Sequence, residues 1–273
     1  MLEIARLVRR YLVRDLIPPT LPPAASVPSE LRQRYAGYYE GISSRHQGLN
    51  GFGRLLHVRK LTFSEKELIT TTYGLVRERW LPVSERLFRK EGESIASLAL
   101  LPDAEGVALI QCRWSTLKKV PAVQVWAQSA GAALISLLVL SSLLYAPVWT
   151  FRWLRGSLRN AAPLSLRVMP LVASLLLVTF DFLIGVGFWG LITGRSVDDL
   201  FALGVPSLLS VSIWIVSLAF PAAVIASLYI LYHHRHAVIN RWVYWHSASI
   251  AVALLAVAIY YACWGLIGLR LWA

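Results

Sequence analysis

Hydrophobic and polar residues are distributed unevenly along the chain, and four long apolar stretches dominate its second half. They contain 32, 27, 35 and 28 residues, and together they hold a single Asp, Glu, Lys or Arg, which is Asp181. A helix needs about 20 apolar residues to cross a bilayer, and a helix leaves no backbone group unpaired in lipid. We therefore predict four transmembrane helices, near residues 124–148, 168–192, 207–231 and 247–269.

The first 119 residues show a different pattern, in which short apolar runs alternate with turn residues. Runs of β-type composition recur about every ten residues, which favours an antiparallel meander forming a small barrel or a sandwich. Before them come an amphipathic Arg-rich segment at residues 1–17 and a proline-rich segment at residues 18–28. Ser29 is the expected cap of a short helix that ends at Tyr35. The eight runs are 35–40, 55–63, 67–74, 79–84, 86–90, 95–101, 107–114 and 117–120.

These patterns predict an α+β membrane protein, with a small antiparallel β-barrel or sandwich module followed by a four-helix transmembrane bundle. Its domains would be an amphipathic helix at 1–17, a linker at 18–28, a β-rich module at 29–119 and a membrane domain at 120–273. The amphipathic helix either packs on a soluble domain or lies on anionic lipid.

Charge is as uneven as hydropathy. Residues 1–119 carry 31 of the 42 charged side chains, and the whole chain has a net charge of +12. This division excludes a single soluble globule and a disordered protein. The basic residues are scattered among acidic ones without a nucleic-acid-binding motif, so we predict a surface facing anionic lipids and no nucleic-acid partner.

The distribution of arginine among the loops indicates the orientation of the spans. Loop one, residues 150–167, contains four Arg, and loop three, residues 232–246, contains two. Because positively charged loops remain on the cytoplasmic side, the β-rich module is expected to be extracytoplasmic, in a multi-pass protein of the inner membrane.

Asp181 and His246 are the candidate functional residues of the membrane domain. A carboxylate in lipid is costly, so Asp181 could serve a proton or ion relay. We favour instead a hydrogen bond between helices, with a Ser or Thr of a neighbour. His246 opens the fourth span and is expected to contact the membrane interface rather than a metal.

Two other patterns imitate functional sites. Ser115 and Lys118 match the S-x-x-K motif of penicillin-recognising serine enzymes, but the sequence lacks the Lys-Thr-Gly partner. His233, His234 and His236 are close in sequence, and we expect them to lie at lipid headgroups rather than to bind a metal. We predict no catalytic, cofactor-binding or metal-binding residue and no cofactor.

Several phrases in the chain carry a family resemblance: YAGYYE at 35–40, RWLPVSERLFRKEGE at 79–93, LALLPDAEGVALIQ at 98–111, WHS at 245–247 and YYACWGLIGLRLW at 260–272. This order resembles the C-terminal region of bacterial membrane-anchored serine hydrolases of the β-lactamase-related, penicillin-binding-protein-like class. The resemblance implies a catalytic domain before Met1, with residues 1–17 as the remnant of its last helix. The catalytic motifs have no counterpart in this chain, so we do not assign it an enzymatic activity.

We therefore expect a non-catalytic region that anchors and assists a serine hydrolase domain, in cis or in trans, at the cell envelope. One alternative is an independent membrane protein whose β module binds a lipid or a cell-wall fragment. A second is a small transporter or intramembrane enzyme that uses Asp181.

Overall fold

The structure is a computed structural model. It describes residues 25–42, 58–72, 76–102, 108–112, 115–156, 163–193, 203–237 and 240–272, with some positions between residues 4 and 15, and without the side chains of residues 188–193. The chain divides into two compact units, Glu3–Ala130 and Gly131–Ala273. The division falls inside a continuous helix, eleven residues beyond the predicted boundary between residues 119 and 120.

Eight antiparallel strands form a closed barrel in the first unit, which confirms the predicted meander and selects the barrel over the sandwich. Each strand pairs with the next, and the last pairs with the first through partners such as Tyr39 and Lys119. Closure leaves no free sheet edge. The strands are β1 Gly37–Gly41, β2 Arg59–Phe63, β3 Leu68–Thr72, β4 Val76–Pro82, β5 Leu87–Lys90, β6 Ala96–Leu101, β7 Leu109–Cys112 and β8 Ser115–Val120.

The barrel interior is filled by its own side chains. Trp80, Tyr39 and Phe88 are fully buried there. The indole N–H of Trp80 donates to Thr70 Oγ1 at 3.0 Å, and the hydroxyl of Tyr39 donates to the carbonyl of Tyr35 at 2.8 Å. The large aromatic residues thus bury their area while their polar atoms stay paired. Other members of this core are Leu61, Leu68, Leu98, Leu100, Ala108, Ile110, Cys112 and Leu117.

A short helix, α1 (Ser29–Tyr35), packs against this core through Leu31 and Tyr35. The expected Ser29 cap is wrong, because Pro28 occupies the cap position and no side chain caps the helix. The described end of the predicted linker is also part of the barrel unit. Val27 is buried in the core, and the N–H of Ala25 donates to the Pro82 carbonyl at 3.0 Å. An apolar side chain within reach of the core is buried even where prolines surround it.

Four helices follow that are long and apolar enough to cross a membrane, which makes this a multi-pass membrane protein. They are α2 (Ala122–Leu154), α3 (Ser165–Thr193), α4 (Leu208–His233) and α5 (Arg241–Cys263). With 33 residues, α2 is about 50 Å long, which exceeds the roughly 30 Å of a hydrocarbon core. Part of α2 must therefore extend beyond the hydrocarbon.

The fourth helix is shifted toward the N-terminus relative to the predicted 247–269. It begins at Arg241 because the side chain of Asn240 accepts a hydrogen bond from the N–H of Trp242 at 2.9 Å. It ends at Cys263 because Gly265 adopts a φ of 67°, and the N–H of Leu266 donates back to the Tyr261 carbonyl at 2.8 Å. A left-handed glycine with this 6→1 hydrogen bond is the Schellman termination.

Within the second unit, α3, α4 and α5 are more deeply packed than α2. In the most apolar 18-residue segment of each helix, 11% of the residues are buried in α2, against 33–39% in the other three helices. Serines inside the helices donate hydroxyl hydrogen bonds to backbone carbonyls of the preceding turn. Ser174 donates to the Pro170 carbonyl, and Ser227 donates to the Ala223 carbonyl. Such back-bonding satisfies a polar group where lipid offers no partner.

The predicted amphipathic helix at 1–17 falls mostly outside the described residues. Five apolar positions within it are helical and more than half exposed: Ile4, Leu7, Val8, Tyr11 and Leu12.

Candidate functional site

Asp181 is hydrogen-bonded to the last turn of α5. Its Oδ1 accepts a hydrogen bond from the hydroxyl of Tyr261 at 2.6 Å. The Tyr261 ring also lies 5.4 Å from the ring of Phe180 and 6.0 Å from that of Phe220, measured between centroids. The structure therefore contains a hydrogen bond between helices at Asp181, but its donor is a tyrosine and not the expected Ser or Thr.

The depth of Asp181 along α3 bears on the cost of placing it there. Asp181 is the seventeenth of the 29 residues of α3 and lies about 18 Å from the last of them, Thr193. A carboxylate near the middle of a span is costly unless it has a partner. With the Tyr261 hydroxyl as its donor, Asp181 is compatible with a structural contact between helices.

His246 lies in the second turn of α5 and contacts α2. Its Nε2 is 3.0 Å from Ser141 Oγ, and its ring meets that of Tyr145 edge-on at 6.0 Å. Ser141 Oγ also donates to the carbonyl of Leu138 at 2.7 Å. A serine hydroxyl has one proton and a carbonyl only accepts, so His246 Nε2 carries the hydrogen and donates it to Ser141.

The two candidate residues do not form one site. His246 and Tyr261, which binds Asp181, are 15 residues apart on α5, and that separation is about 22 Å along the helix axis. The contact of Asp181 is therefore near one end of α5, and that of His246 is near the other.

A cavity of about 370 Å³ adjoins His246 within the helical unit. Such a volume lies at the small end of the range for ligand pockets. Three helices contribute its walls, and the polar part of the lining consists of hydroxyls, an imidazole and a guanidinium. The lining residues are Ser141, Ser142, Tyr145, Trp149, Arg167, Pro170, Trp242, Val243, His246, Ser247 and Ile250.

Arg167 is the charged residue of this cavity. Its Nη1 is buried and has no hydrogen-bond partner in the described part of the chain. No Asp or Glu belongs to the described lining, so the positive charge of the guanidinium is not balanced within the cavity wall. The arrangement suits an anion of small size.

The two patterns that imitate functional sites are not assembled as such. Ser115 and Lys118 lie on strand β8, where residues three apart face opposite sides of the sheet, whereas the S-x-x-K mechanism needs both on one helical turn.

The histidines at the C-terminal end of α4 contact other side chains and a backbone carbonyl. The ring of His233 stacks on Tyr229, His234 Nδ1 donates to the Ile230 carbonyl at 2.9 Å, and His236 Nε2 accepts from Arg235 Nε at 3.0 Å. Among the residues that the structure describes, no three His, Cys, Asp or Glu side chains converge to hold a metal ion.

Sequence reasoning identified His246 but missed the residues around it. Arg167 entered only as one of four loop-one charges, although it is the third residue of α3. The adjacent Ser141 and Ser142 in a span without charged residues were the available signal for a polar site. Comparison of the chain with known protein families, curated proteins and solved structures returned no match.

Proposed function

We propose that this chain is a non-catalytic, membrane-anchored accessory protein whose β-barrel acts through its outer surface. The observation that carries the proposal is the filled barrel interior: Trp80, Tyr39 and Phe88 occupy the space that a ligand-binding barrel leaves open. A barrel closed by strand pairing and filled by aromatic side chains is a rigid platform. Its interactions must then be made from outside.

The barrel is covalently joined to the first membrane helix by a short connection. Strand β8 ends at Val120 and α2 begins at Ala122, so a single residue, Pro121, connects them. This connection anchors the module to the membrane.

The partner that we propose is a serine hydrolase domain, in cis or in trans, on the extracytoplasmic side. The support for this class is the resemblance of the YAGYYE, RWLPVSERLFRKEGE and YYACWGLIGLRLW phrases to the region that follows such domains. The outside of the barrel carries exposed apolar side chains suited to a protein contact, Val76, Leu87 and Ile95. Two of them, Leu87 and Ile95, lie on and beside strands β5 and β6.

The two alternatives have less support. A lipid or cell-wall fragment inside the barrel would have to displace the buried Trp80 and Phe88. A transporter that uses Asp181 would have to break the hydrogen bond from Tyr261 in each cycle.

Orientation is tested by cysteine labelling in a Cys263→Ser background, since Cys263 is exposed and Cys112 is buried. Glu65→Cys places a thiol on the exposed β2–β3 turn, and Ala237→Cys places one in loop three. A membrane-impermeant maleimide applied to intact cells should label the first and reach the second only after permeabilisation. The reverse pattern would contradict an extracytoplasmic barrel.

The partner is tested with a photoreactive amino acid at Leu87 or Ile95 and a fluorescent penicillin or fluorophosphonate. Irradiation should give an adduct of this chain that carries the serine-directed probe. The matched control is the same photoreactive residue at Glu65, on the β2–β3 turn and at least two strands away around the barrel. Adducts that never carry the probe, or equal yields at Glu65, would refute a hydrolase partner at this face.

A further inference from the structure

The orphan guanidinium nitrogen of Arg167 requires an explanation. A buried polar atom without a partner is destabilising, and a charged one in or near lipid is more so. Native proteins rarely leave such a group unpaired unless something else binds it. Arg167 Nη1 is buried, unpaired and part of the wall of the 370 Å³ cavity beside His246.

We propose that this cavity binds a phosphate group, and that an anionic phospholipid of the adjoining leaflet supplies it. Arg167 would provide the positive charge and paired N–H donors that phosphate oxygens accept. Ser142 and Ser247, which are buried in the same wall, would provide hydroxyl donors. This site is independent of the proposed function of the barrel.

The depth of the cavity fits a lipid headgroup. Arg167 is the third residue of α3, and Trp242, the second residue of α5, lies in the same wall. Tryptophan side chains concentrate at the level of the headgroups. Trp242 and the nearby Trp245 are 85% and 65% exposed, as expected for rings that lie in the interface.

The surroundings of the cavity favour a lipid over a freely diffusing anion. A bound headgroup would leave its acyl chains beside α2, whose Leu137, Leu140 and Leu144 are exposed along the helix.

His246 has a positioning role in this arrangement. Its Nε2–H is used by Ser141, and its ring rests against Tyr145, so it fixes α2 to α5 at the level of the cavity. The part of the cavity wall that α2 and α5 form is thereby held in place.

The test is native mass spectrometry of the full chain purified in dodecyl maltoside and titrated with phosphatidylglycerol. Phosphatidylcholine and inorganic phosphate are titrated in parallel. The wild-type chain should retain phosphatidylglycerol in preference to phosphatidylcholine, and Arg167→Gln should weaken its binding at least about tenfold, since the variant loses a charge-assisted hydrogen bond.

Arg152→Gln is the matched control, because it removes the same charge from an exposed arginine in the last turn of α2. It should change phosphatidylglycerol binding less than about twofold. Equal losses in the two variants, or no loss in Arg167→Gln, would overturn the site. Displacement of the lipid by millimolar inorganic phosphate, in an Arg167-dependent manner, would uphold the phosphate site and overturn the lipid as its source.

Ser142→Leu is a second variant that tests the same site if Arg167→Gln does not fold. This variant keeps the guanidinium and places an apolar side chain toward the cavity, so the space for a headgroup is lost while the charge remains. It should reduce phosphatidylglycerol binding about as strongly as Arg167→Gln. Unchanged binding in a folded Ser142→Leu protein would show that the lipid is bound elsewhere.

Discussion

The hydrogen bond between Tyr261 and Asp181 joins α5 to α3, and its contribution to stability can be isolated. Tyr261→Phe removes only the hydroxyl, so the ring keeps its contacts with Phe180 and Phe220. Asp181→Leu removes the acceptor at the other end of the same 2.6 Å bond. Asp181→Asn is the conservative variant, because an amide still offers an oxygen to the tyrosine.

The magnitude follows from the environment of the bond. Hydrogen bonds between helices in membranes contribute about 0.6 kcal/mol on average and about 1.7 kcal/mol at most. The donor here is 6% exposed and the distance is short, so we expect a coupling energy in the upper part of that range. Tyr261→Phe should therefore cost about 1 to 1.7 kcal/mol in the wild-type and Asp181→Asn backgrounds, and close to nothing after Asp181→Leu.

The assay is a double-mutant cycle on the full chain in mixed micelles, unfolded by increasing the mole fraction of sodium dodecyl sulfate and followed by far-UV circular dichroism. A coupling energy indistinguishable from zero would refute the structural role of the pair. Strong destabilisation by Asp181→Asn alone would also contradict it, because the acceptor oxygen is then still present. Either result would favour instead the hypothesis that Asp181 takes part in a proton or ion relay.

Three further predictions concern the barrel, each measured as a shift in its thermal unfolding by circular dichroism. Gly37→Ala should destabilise the barrel by about 1 to 3 kcal/mol, because Gly37 has a φ of 138° and a Cβ there would lie 2.9 Å from Lys119 Cε. Adding Lys119→Ala should recover only the part of this loss that comes from the steric clash. Full recovery would rule out backbone strain as a cause. Trp80→Phe should cost about 1 to 3 kcal/mol by leaving the Thr70 hydroxyl without its indole donor, and Thr70→Val in the same protein should recover part of that loss. Burial raises the pKa of the Tyr39 phenol above its ordinary value of about 10, so above that pH the folded state keeps a proton that the unfolded state releases. The resulting stability is present below about pH 10 and is lost as the pH rises further. Tyr39→Phe should reduce this alkaline loss of stability, and an unchanged slope of stability against pH would contradict the prediction.

The strands could be predicted because their signal is local. In β6, Leu98 and Leu100 are buried while Ala99 and Leu101 are less so, which is the period of two that a half-buried strand shows. The choice between barrel and sandwich depended instead on whether β1 pairs with β8. Those strands are some 80 residues apart in the chain, and no local pattern specifies such a pairing.

The termini of the fourth span illustrate a similar limit. Hydropathy continues past Cys263, so composition alone extends the helix to residue 269. The termination depends on the backbone of Gly265, whose left-handed conformation the apolar pattern does not reveal. Beyond it the N–H of Gly268 donates to Ser217 Oγ at 3.0 Å, so the remaining apolar residues pack on α4 without continuing the helix.

Several polar side chains of the helical unit have a partner within the unit, whereas Arg167 Nη1 has none in its described part. Ser174, Ser217 and Ser227 bond to the preceding turn of their own helices, and Asp181 is bonded by Tyr261. In the part of this unit that the structure describes, Arg167 Nη1 is the buried side-chain nitrogen left without a partner. The unpaired atom is therefore best explained by a ligand with acceptor oxygens, and the membrane around the cavity contains such ligands at high concentration.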